Sequence, residues 1–239
     1  MKLIYIYHSG FILQGTDFVA VIDYYKAGNP ENEKFISELL MHYPGRLYVF
    51  VSHAHPDHFN PVILQWGRQR PDLRYIFSED IQLPADNLPE HRVFMKKLET
   101  WQDEILRVKA FGSTDIGISF LIEGEEKRIF HAGDLNNWHW AEESTAEESR
   151  ESEDHFLQEL DCLAGEAEQV DLALFPVDPR LGKDYMRGAC QFIDRIHPRW
   201  FAPMHFWEKY GKANALRKYA EERGCRFVAW THSGQYVEF

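Results

Sequence analysis

Positive charge, cysteine and long apolar runs are all scarce in this sequence. Its 239 residues include 26 lysines and arginines against 38 aspartates and glutamates, for a net charge of −12, which argues against a nucleic-acid backbone as partner. No apolar run approaches the ~20 residues that a membrane-spanning helix needs, so we expect no membrane partner. The three cysteines form no CxxC pair, which favours free thiols in a reducing cytosol and a cytoplasmic protein.

The negative charge is concentrated in residues 139–168, which hold eleven acidic residues against one arginine. The apolar spacing of Phe156, Leu160 and Leu163 predicts a helix that is amphipathic in its second half. We interpret the segment as an acidic, helical insertion. It is either a solvated excursion or a lid or partner surface.

Strand-like patterns dominate each half of the chain and helical patterns interrupt them, which predicts one mixed α/β domain with hairpins and crossovers over residues 1–239. No linker interrupts them. Helices are predicted at 31–43, 61–69, 143–164, 184–196 and 212–223, the first of them opened by Asn29 and Pro30. Predicted strands include 3–7, 18–23, 46–52, 104–111, 128–131, 172–177, 200–204 and 227–230.

The stretch "VSHAHPDHFNP", residues 51–61, places three histidines and an aspartate directly after an apolar run. His53 and His55 alternate in an extended segment, so their side chains point the same way and can share one ion. Asp57 and His58 follow the bend at Pro56 and can face a second ion or the other side of the first. Imidazole with carboxylate suits zinc, manganese or iron and disfavours calcium. The alternative is a polar loop that binds no ion.

This HxHxDH pattern after a buried strand resembles the signature of the metallo-β-lactamase superfamily of metal-dependent hydrolases. "IFHAGDLNN" is similar to the strand of that family that ends in Gly-Asp, and "WFAPMHFW" is similar to the late strand that delivers the last ligand. The opening "HSGFILQGTDFVAVID" resembles the subgroup that contains ascorbate-phosphate lactonase. The resemblance implies a four-layer αββα sandwich in which Asp134 bridges two metals and His205 is the last ligand.

The full metal set implied by the resemblance is His53, His55, Asp57, His58, Asp134 and His205. One ligand of the family pattern is absent, because the turn "FGSTDIGIS" has Ser113 or Thr114 where a third histidine is expected. Asp115 is the other candidate to replace it. The site of His53 and His55 is therefore depleted while the other is whole. We expect one tight and one weaker divalent ion, zinc first and manganese as the alternative.

The chemistry that such ions support is hydrolysis. A bound divalent ion lowers the pKa of water from about 15.7 to near 7, so a metal-bound hydroxide can attack an ester, lactone or phosphoester. We expect the substrate to be a small molecule, with an anionic one as an open alternative. Asp57 and His131 are the catalytic candidates, and the substrate candidates are His8, Trp138, Arg180 and Tyr185.

Three other functions stay open at this stage. A nuclease or phosphodiesterase of the same superfamily would need a basic strip that the sequence lacks. An iron-dependent oxygenase would use the third histidine that is missing here. A non-catalytic metal-binding protein fits both the missing ligand and the acidic segment. The substrate, the metal and the oligomeric state are not determined by these residues.

Overall fold

The computed structural model describes residues 1–84 and 88–239, except the side chain of Met41. The chain forms two compact units, of which the first comprises Met1–Lys96 with Thr231–Phe239 and the second comprises Lys97–Trp230. Each unit contains one seven-stranded sheet together with helices. The predicted α/β class is therefore confirmed, whereas the prediction of a single domain stays a prediction.

Strands dominate the secondary structure, and helices interrupt them. The strands are β1 (Lys2–Tyr7), β2 (Gly10–Gln14), β3 (Phe18–Ile22), β4 (Arg46–Val51), β5 (Arg74–Ser78), β6 (Arg92–Met95), β7 (Thr100–Gln102), β8 (Arg107–Phe111), β9 (Ser119–Gly124), β10 (Lys127–His131), β11 (Leu172–Pro176), β12 (Trp200–Met204), β13 (Arg226–Phe227) and β14 (Tyr236–Glu238). The α-helices are α1 (Pro30–His42), α2 (Ile63–Gln69), α3 (Ala146–Ala164), α4 (Arg187–Ile196), α5 (Tyr210–Asn214) and α6 (Arg217–Glu222), with a 3-10 helix at Pro179–Asp184. Within the described ranges, no helix combines the length and apolarity needed to cross a bilayer.

The two sheets share one layout. The first has the order β14-β1-β2-β3-β4-β5-β6 with β3 to β6 parallel, and the second has the order β13-β12-β11-β10-β9-β8-β7 with β10 to β13 parallel. Parallel strands end at a common edge of their sheet, which is where sites in such sheets collect. Candidate site residues follow the parallel strands of each sheet, namely Asp23 after β3 and residues 52–58 after β4 in the first unit, and Asp134 after β10, Asp178 after β11 and His205 after β12 in the second.

Helix α1 matches its prediction, since the Asn29 side chain accepts a hydrogen bond from the backbone N–H of Asn32 and Pro30 occupies the first helical position. Three other elements differ from the sequence patterns. The strand predicted at 104–111 begins only at Arg107, because the Asp103 carboxylate accepts the N–H groups of residues 105 and 106 and forms a turn. The helix predicted at 184–196 begins at Arg187, after a 3-10 helix in which Gly182 has φ 82°. The helix predicted at 212–223 is divided into α5 and α6, and the strand predicted at 227–230 is only β13.

Helix α3 of the acidic segment packs into the second unit. A capping box between Thr145 and Glu148 starts the helix. Phe156, Leu160 and Leu163 are at most 1% exposed, and the Phe156 ring lies 6.1 Å from that of Phe175 on β11. Most acidic residues of the helix therefore lie on its outer face, whereas the inner face is part of the hydrophobic core. Glu159 is the exception, because it is buried and accepts a hydrogen bond from Lys97.

This packing predicts that Phe156→Ala lowers the free energy of unfolding by about 3–5 kcal/mol, because a fully buried ring is replaced by a cavity. The matched control is Leu157→Ala, since Leu157 is 38% exposed on the same helix and should cost about 1 kcal/mol or less. Urea unfolding followed by circular dichroism measures both. Equal losses in the two variants would mean that α3 does not pack as described.

Candidate metal centre

In the first unit the histidine-rich loop after β4 folds into a compact cluster. The His53 ring lies 4.1 Å from the His58 ring and 4.7 Å from the His55 ring, measured between centroids. His53 and His58 are fully buried. One ligand atom of Asp57 lies within 4.8 Å of one ligand atom of His58, and His53 and His55 form a second pair with the same property. The structure thus brings the four residues of the HxHxDH pattern together as two ligand pairs.

A buried carboxylate, Asp23, orients two of these histidines. The His58 Nδ1 atom lies 2.7 Å from Asp23 Oδ2, and the Ser52 hydroxyl donates to the same oxygen at 2.6 Å. Because that hydroxyl proton is used, Ser52 Oγ accepts from His53 Nδ1 at 3.0 Å. A carboxylate only accepts hydrogen bonds, so the geometry favours a proton on Nδ1 of both imidazoles, and in the neutral ring the lone pair is then on Nε2. This is the tautomer that a metal ligand needs.

In the second unit His205 lies between two carboxylates. Its Nδ1 donates to Asp178 Oδ2 at 2.9 Å, and its Nε2 lies 3.4 Å from Asp134 Oδ1. Arg180 donates to Asp178 through Nε at 2.8 Å and Nη2 at 2.6 Å. Burial acts to raise the pKa of Asp178, but the hydrogen bonds from His205 and Arg180 outweigh it and hold that pKa at about 2. Asp178 is therefore an anion that fixes the Nδ1 proton of His205.

The distances around His205 separate two kinds of contact. The 2.9 Å contact to Asp178 has the length of a charge-assisted hydrogen bond. The 3.4 Å contact to Asp134 is longer, and in the neutral form of His205 it joins two atoms that both carry lone pairs. Adjacent ligands of one ion, each about 2.1 Å from the metal, lie roughly 3.0–3.4 Å apart. The donor set of Asp134 and His205 therefore fits a divalent transition-metal ion.

The turn that lacks the expected histidine is joined to the Asp134 turn by Thr114. The Thr114 hydroxyl donates to the Asn136 carbonyl at 2.6 Å and accepts from the Asn136 N–H at 2.9 Å. Thr114 is thereby a structural brace. Ser113, which accepts the Asp115 N–H at 3.3 Å, and the exposed Asp115 remain the candidates for the missing ligand position.

Two aromatic side chains lie beside the ligands of the second unit. Trp138 donates its indole N–H to the Asp134 carbonyl at 2.8 Å and meets the His205 ring edge-on at 5.5 Å. Trp140 stacks on Trp138 with centroids 6.1 Å apart. The buried His131, at the end of β10, accepts the Gly133 N–H on Nδ1 at 3.1 Å. The tryptophans form an apolar wall next to Asp134 and His205, and His131 stabilises the turn that carries Asp134.

Two further substrate candidates, Arg180 and Tyr185, have partners within the second unit. Arg180 is bound to Asp178, as described, and its guanidinium lies 5.9 Å above the Trp140 ring. The Tyr185 hydroxyl donates to the Lys212 carbonyl at 2.9 Å, and burial raises the pKa of Tyr185. The Tyr185 hydroxyl is therefore engaged within the second unit, and a role of Tyr185 in substrate binding stays a prediction.

Sequence patterns did not predict a role at the candidate site for three buried residues, Asp23, Ser52 and Asp178. Asp23 and Ser52 directly follow a parallel strand, and Asp178 lies two residues after another one. These strands consist almost entirely of buried residues, and that position was the available signal. Asp23 (φ 47°) and His205 (φ 61°) also share the left-handed backbone conformation, which non-glycine residues adopt rarely and often at functional sites. The sequence does not reveal such a conformation.

No protein-family model matches this chain. A UPF0173 metal-dependent hydrolase of Carboxydothermus hydrogenoformans is 20% identical over 217 residues, covering 86% of this chain and 84% of the relative. Igni18, a metallo hydrolase from the archaeon Ignicoccus hospitalis, has a structure that aligns over 100% of this chain and 98% of its own with a TM-score of 0.71 at 18% identity. CmlA, a diiron β-hydroxylase from Streptomyces venezuelae, aligns over 100% of this chain and 54% of its own with a TM-score of 0.67 at 14% identity.

These similarities extend along essentially the whole chain and agree with the HxHxDH pattern. A further solved structure, the metallo-β-lactamase fold protein YhfI of Bacillus subtilis, aligns over 99% of this chain with a TM-score of 0.64 at 14% identity. The metallo-β-lactamase fold that the resemblance implies is thereby confirmed.

Proposed function

We propose, starting from its metallo-β-lactamase fold, that this protein is a metal-dependent hydrolase of a small ester, lactone or phosphoester. The observation that carries the proposal is the orientation of histidines by buried carboxylates. Asp23 and Asp178 hold the Nδ1 protons of His58 and His205, and Asp23 acts on His53 through Ser52. Such carboxylate–histidine pairs are typical of metal ligands, because they fix the tautomer and raise ligand basicity.

The ligand assignment follows the sequence resemblance. We propose that His53, His55 and Asp134 hold one ion and that Asp57, His58, Asp134 and His205 hold the other, with zinc as the first choice and manganese as the alternative. When bound, such an ion activates water as a nucleophile and polarises the carbonyl or phosphoryl oxygen that is attacked.

The remaining roles belong to side chains of this chain. Asp57 is 25% exposed, so its carboxylate is accessible enough to orient water and to carry a proton to the leaving group. The Trp138–Trp140 wall excludes water beside Asp134. His131 keeps the Gly133–Asp134 turn in place through its contact with the Gly133 N–H, and we propose a positioning role for it rather than a proton-transfer role.

The substrate is proposed to be a small molecule, acted on in the cytoplasm. The three cysteines are free thiols, which supports a reducing compartment, and the net charge of −12 disfavours nucleic acids.

A screen of lactones, phosphate esters and phosphodiesters, run before and after chelation, tests the proposal. We expect turnover that chelation abolishes and zinc or manganese restores. Turnover that survives complete metal removal would overturn the proposal, and metal binding without turnover in the whole screen would favour a non-catalytic protein.

The missing third histidine predicts two unequal metal affinities. Two imidazoles and a shared carboxylate hold an ion more weakly than a complete set does. Calorimetric titration of the metal-free protein with Zn²⁺ should therefore resolve a tight and a weak binding event. Ser113→His should strengthen the weak event selectively if Ser113 occupies the missing position. Two equally tight ions in the unmodified protein would show that another side chain, with Asp115 the first candidate, completes the depleted site.

A further inference from the structure

The hairpin turn between β1 and β2 contains a buried histidine, although turn residues are normally exposed. Tyr7 pairs with Gly10, so the turn consists of only His8 and Ser9. His8 has φ 57°, a left-handed conformation for which such turns usually use glycine, asparagine or aspartate. Both turn residues are 0% exposed. The turn therefore carries a fully buried imidazole instead of an exposed side chain.

The surroundings of His8 are the ligands of the proposed metal centre. Its Nε2 lies 3.3 Å from Asp57 Oδ2, and its ring meets the His58 ring edge-on at 5.9 Å. His8, Asp57 and His58 each offer one ligand atom, and these atoms lie within 4.8 Å of one another. The backbone N–H of His8 donates to the buried Tyr5 hydroxyl at 2.9 Å, which helps to fix the turn in this orientation.

The length of the contact to Asp57 favours one of two roles for His8. The charge-assisted hydrogen bond of His58 to Asp23 measures 2.7 Å, whereas the contact of His8 to Asp57 measures 3.3 Å. The longer value falls within the roughly 3.0–3.4 Å expected between adjacent ligands of one ion at about 2.1 Å each. It resembles the 3.4 Å contact between His205 and Asp134, two residues of the predicted ligand set.

We propose that His8 is an additional protein ligand of the ion held by Asp57 and His58. The β1–β2 turn would then supply an imidazole to the site that is already complete, while the loop at 113–115 supplies none to the other. This assignment rests on the proposed function, because it requires a metal at Asp57 and His58. It increases the inequality between the two sites, since the tight ion gains a ligand that the weak one does not receive.

The experiment counts the imidazoles around a single tightly bound ion. The purified full-length chain is loaded with less than one equivalent of Co²⁺, so that only the tight site fills, and X-ray absorption gives the number of coordinated imidazoles. The variants are His8→Asn, whose side chain tolerates the left-handed backbone, and His8→Gln, whose amide can still donate a hydrogen bond to Asp57. Ser9→Ala is the matched control within the same turn.

We expect one imidazole fewer in both His8 variants, together with a tight-site affinity at least about tenfold weaker, and no change in Ser9→Ala. An unchanged imidazole count in folded His8→Asn and His8→Gln would overturn the inference and leave His8 as a hydrogen-bond donor to Asp57. Failure of the unmodified protein to bind Co²⁺ at all would instead overturn the proposed function. The two failures are therefore distinguishable.

Discussion

Replacing either His58 or His205 by alanine is expected to remove most of the tightly bound metal and to reduce turnover to a residual level. Both imidazoles are buried, at 0% and 2% exposure, and each has its Nδ1 held by a carboxylate. Alanine offers no ligand atom and leaves Asp23 or Asp178 as a buried anion without its main partner. Elemental analysis of the purified variants measures the metal content directly.

The matched control for these variants is His91→Ala, because His91 is an exposed histidine outside the proposed ligand set. It should retain full metal content and activity. Circular dichroism of all three variants shows whether the sheets remain folded, as we expect. Full metal content in both His58→Ala and His205→Ala would contradict the ligand assignment.

The second large effect is expected from Asp23→Asn. Asparagine keeps the size of the side chain but removes the negative charge and brings a competing amide donor toward His58 Nδ1, so the imidazole loses the partner that fixes its tautomer. The Ser52 hydroxyl donates to the same carboxylate and also contacts His53 Nδ1. One substitution at Asp23 therefore disturbs two ligands. Changes of such outer partners typically weaken metal affinity about 10–100-fold, and we expect a value at or above the upper end.

Two further variants make the Asp23 test specific. Asp178→Asn disturbs His205 alone and should weaken binding less than Asp23→Asn does. Asp17→Asn, at an exposed aspartate of the same unit, should change nothing. Titration with Zn²⁺ in competition with a chelator of known affinity ranks the three, and equal affinities for Asp23→Asn and the unmodified protein would contradict the orienting role.

The ligand residues could be predicted from the sequence because strand ends and residue spacing carry the information. His53, His55, Asp57 and His58 occur within six positions after an apolar strand, and the two later ligands also follow apolar strands. A rigid sheet aims such loops. The cluster around β4 and the contact between Asp134 and His205 are what this pattern leads one to expect.

The carboxylates that orient the histidines could not be predicted in the same way. Asp23 and Asp178 are single aspartates among 38 acidic residues, and neither belongs to a motif with a fixed spacing. Their roles depend on a strand register and on the left-handed backbone at Asp23, which only the folded chain specifies. His8 was predicted as a substrate candidate, but its burial in a two-residue turn was not predicted, because turns are usually exposed.

The tight turn at Asp103 shows a different limit of sequence patterns. The segment 104–111 has a continuous strand-like pattern, but a side chain that caps two backbone N–H groups ends one strand and starts the next. Local hydrogen bonding of this kind competes with strand propensity. The acidic segment shows the converse, because the apolar spacing of Phe156, Leu160 and Leu163 correctly indicated a helix with one buried face.

The source of the oxygen in the product tests the central claim most directly. The fold also occurs in a diiron β-hydroxylase, so fold alone does not separate hydrolysis from oxygenation. The first substrate that the screen identifies should be turned over in water labelled with a heavy oxygen isotope and, in a separate experiment, under dioxygen labelled with the same isotope. Mass spectrometry of the products then shows which source the oxygen came from. A hydrolase incorporates oxygen from water alone, works without dioxygen and stops on chelation, and this is the result we predict. Incorporation of oxygen from dioxygen would contradict the account.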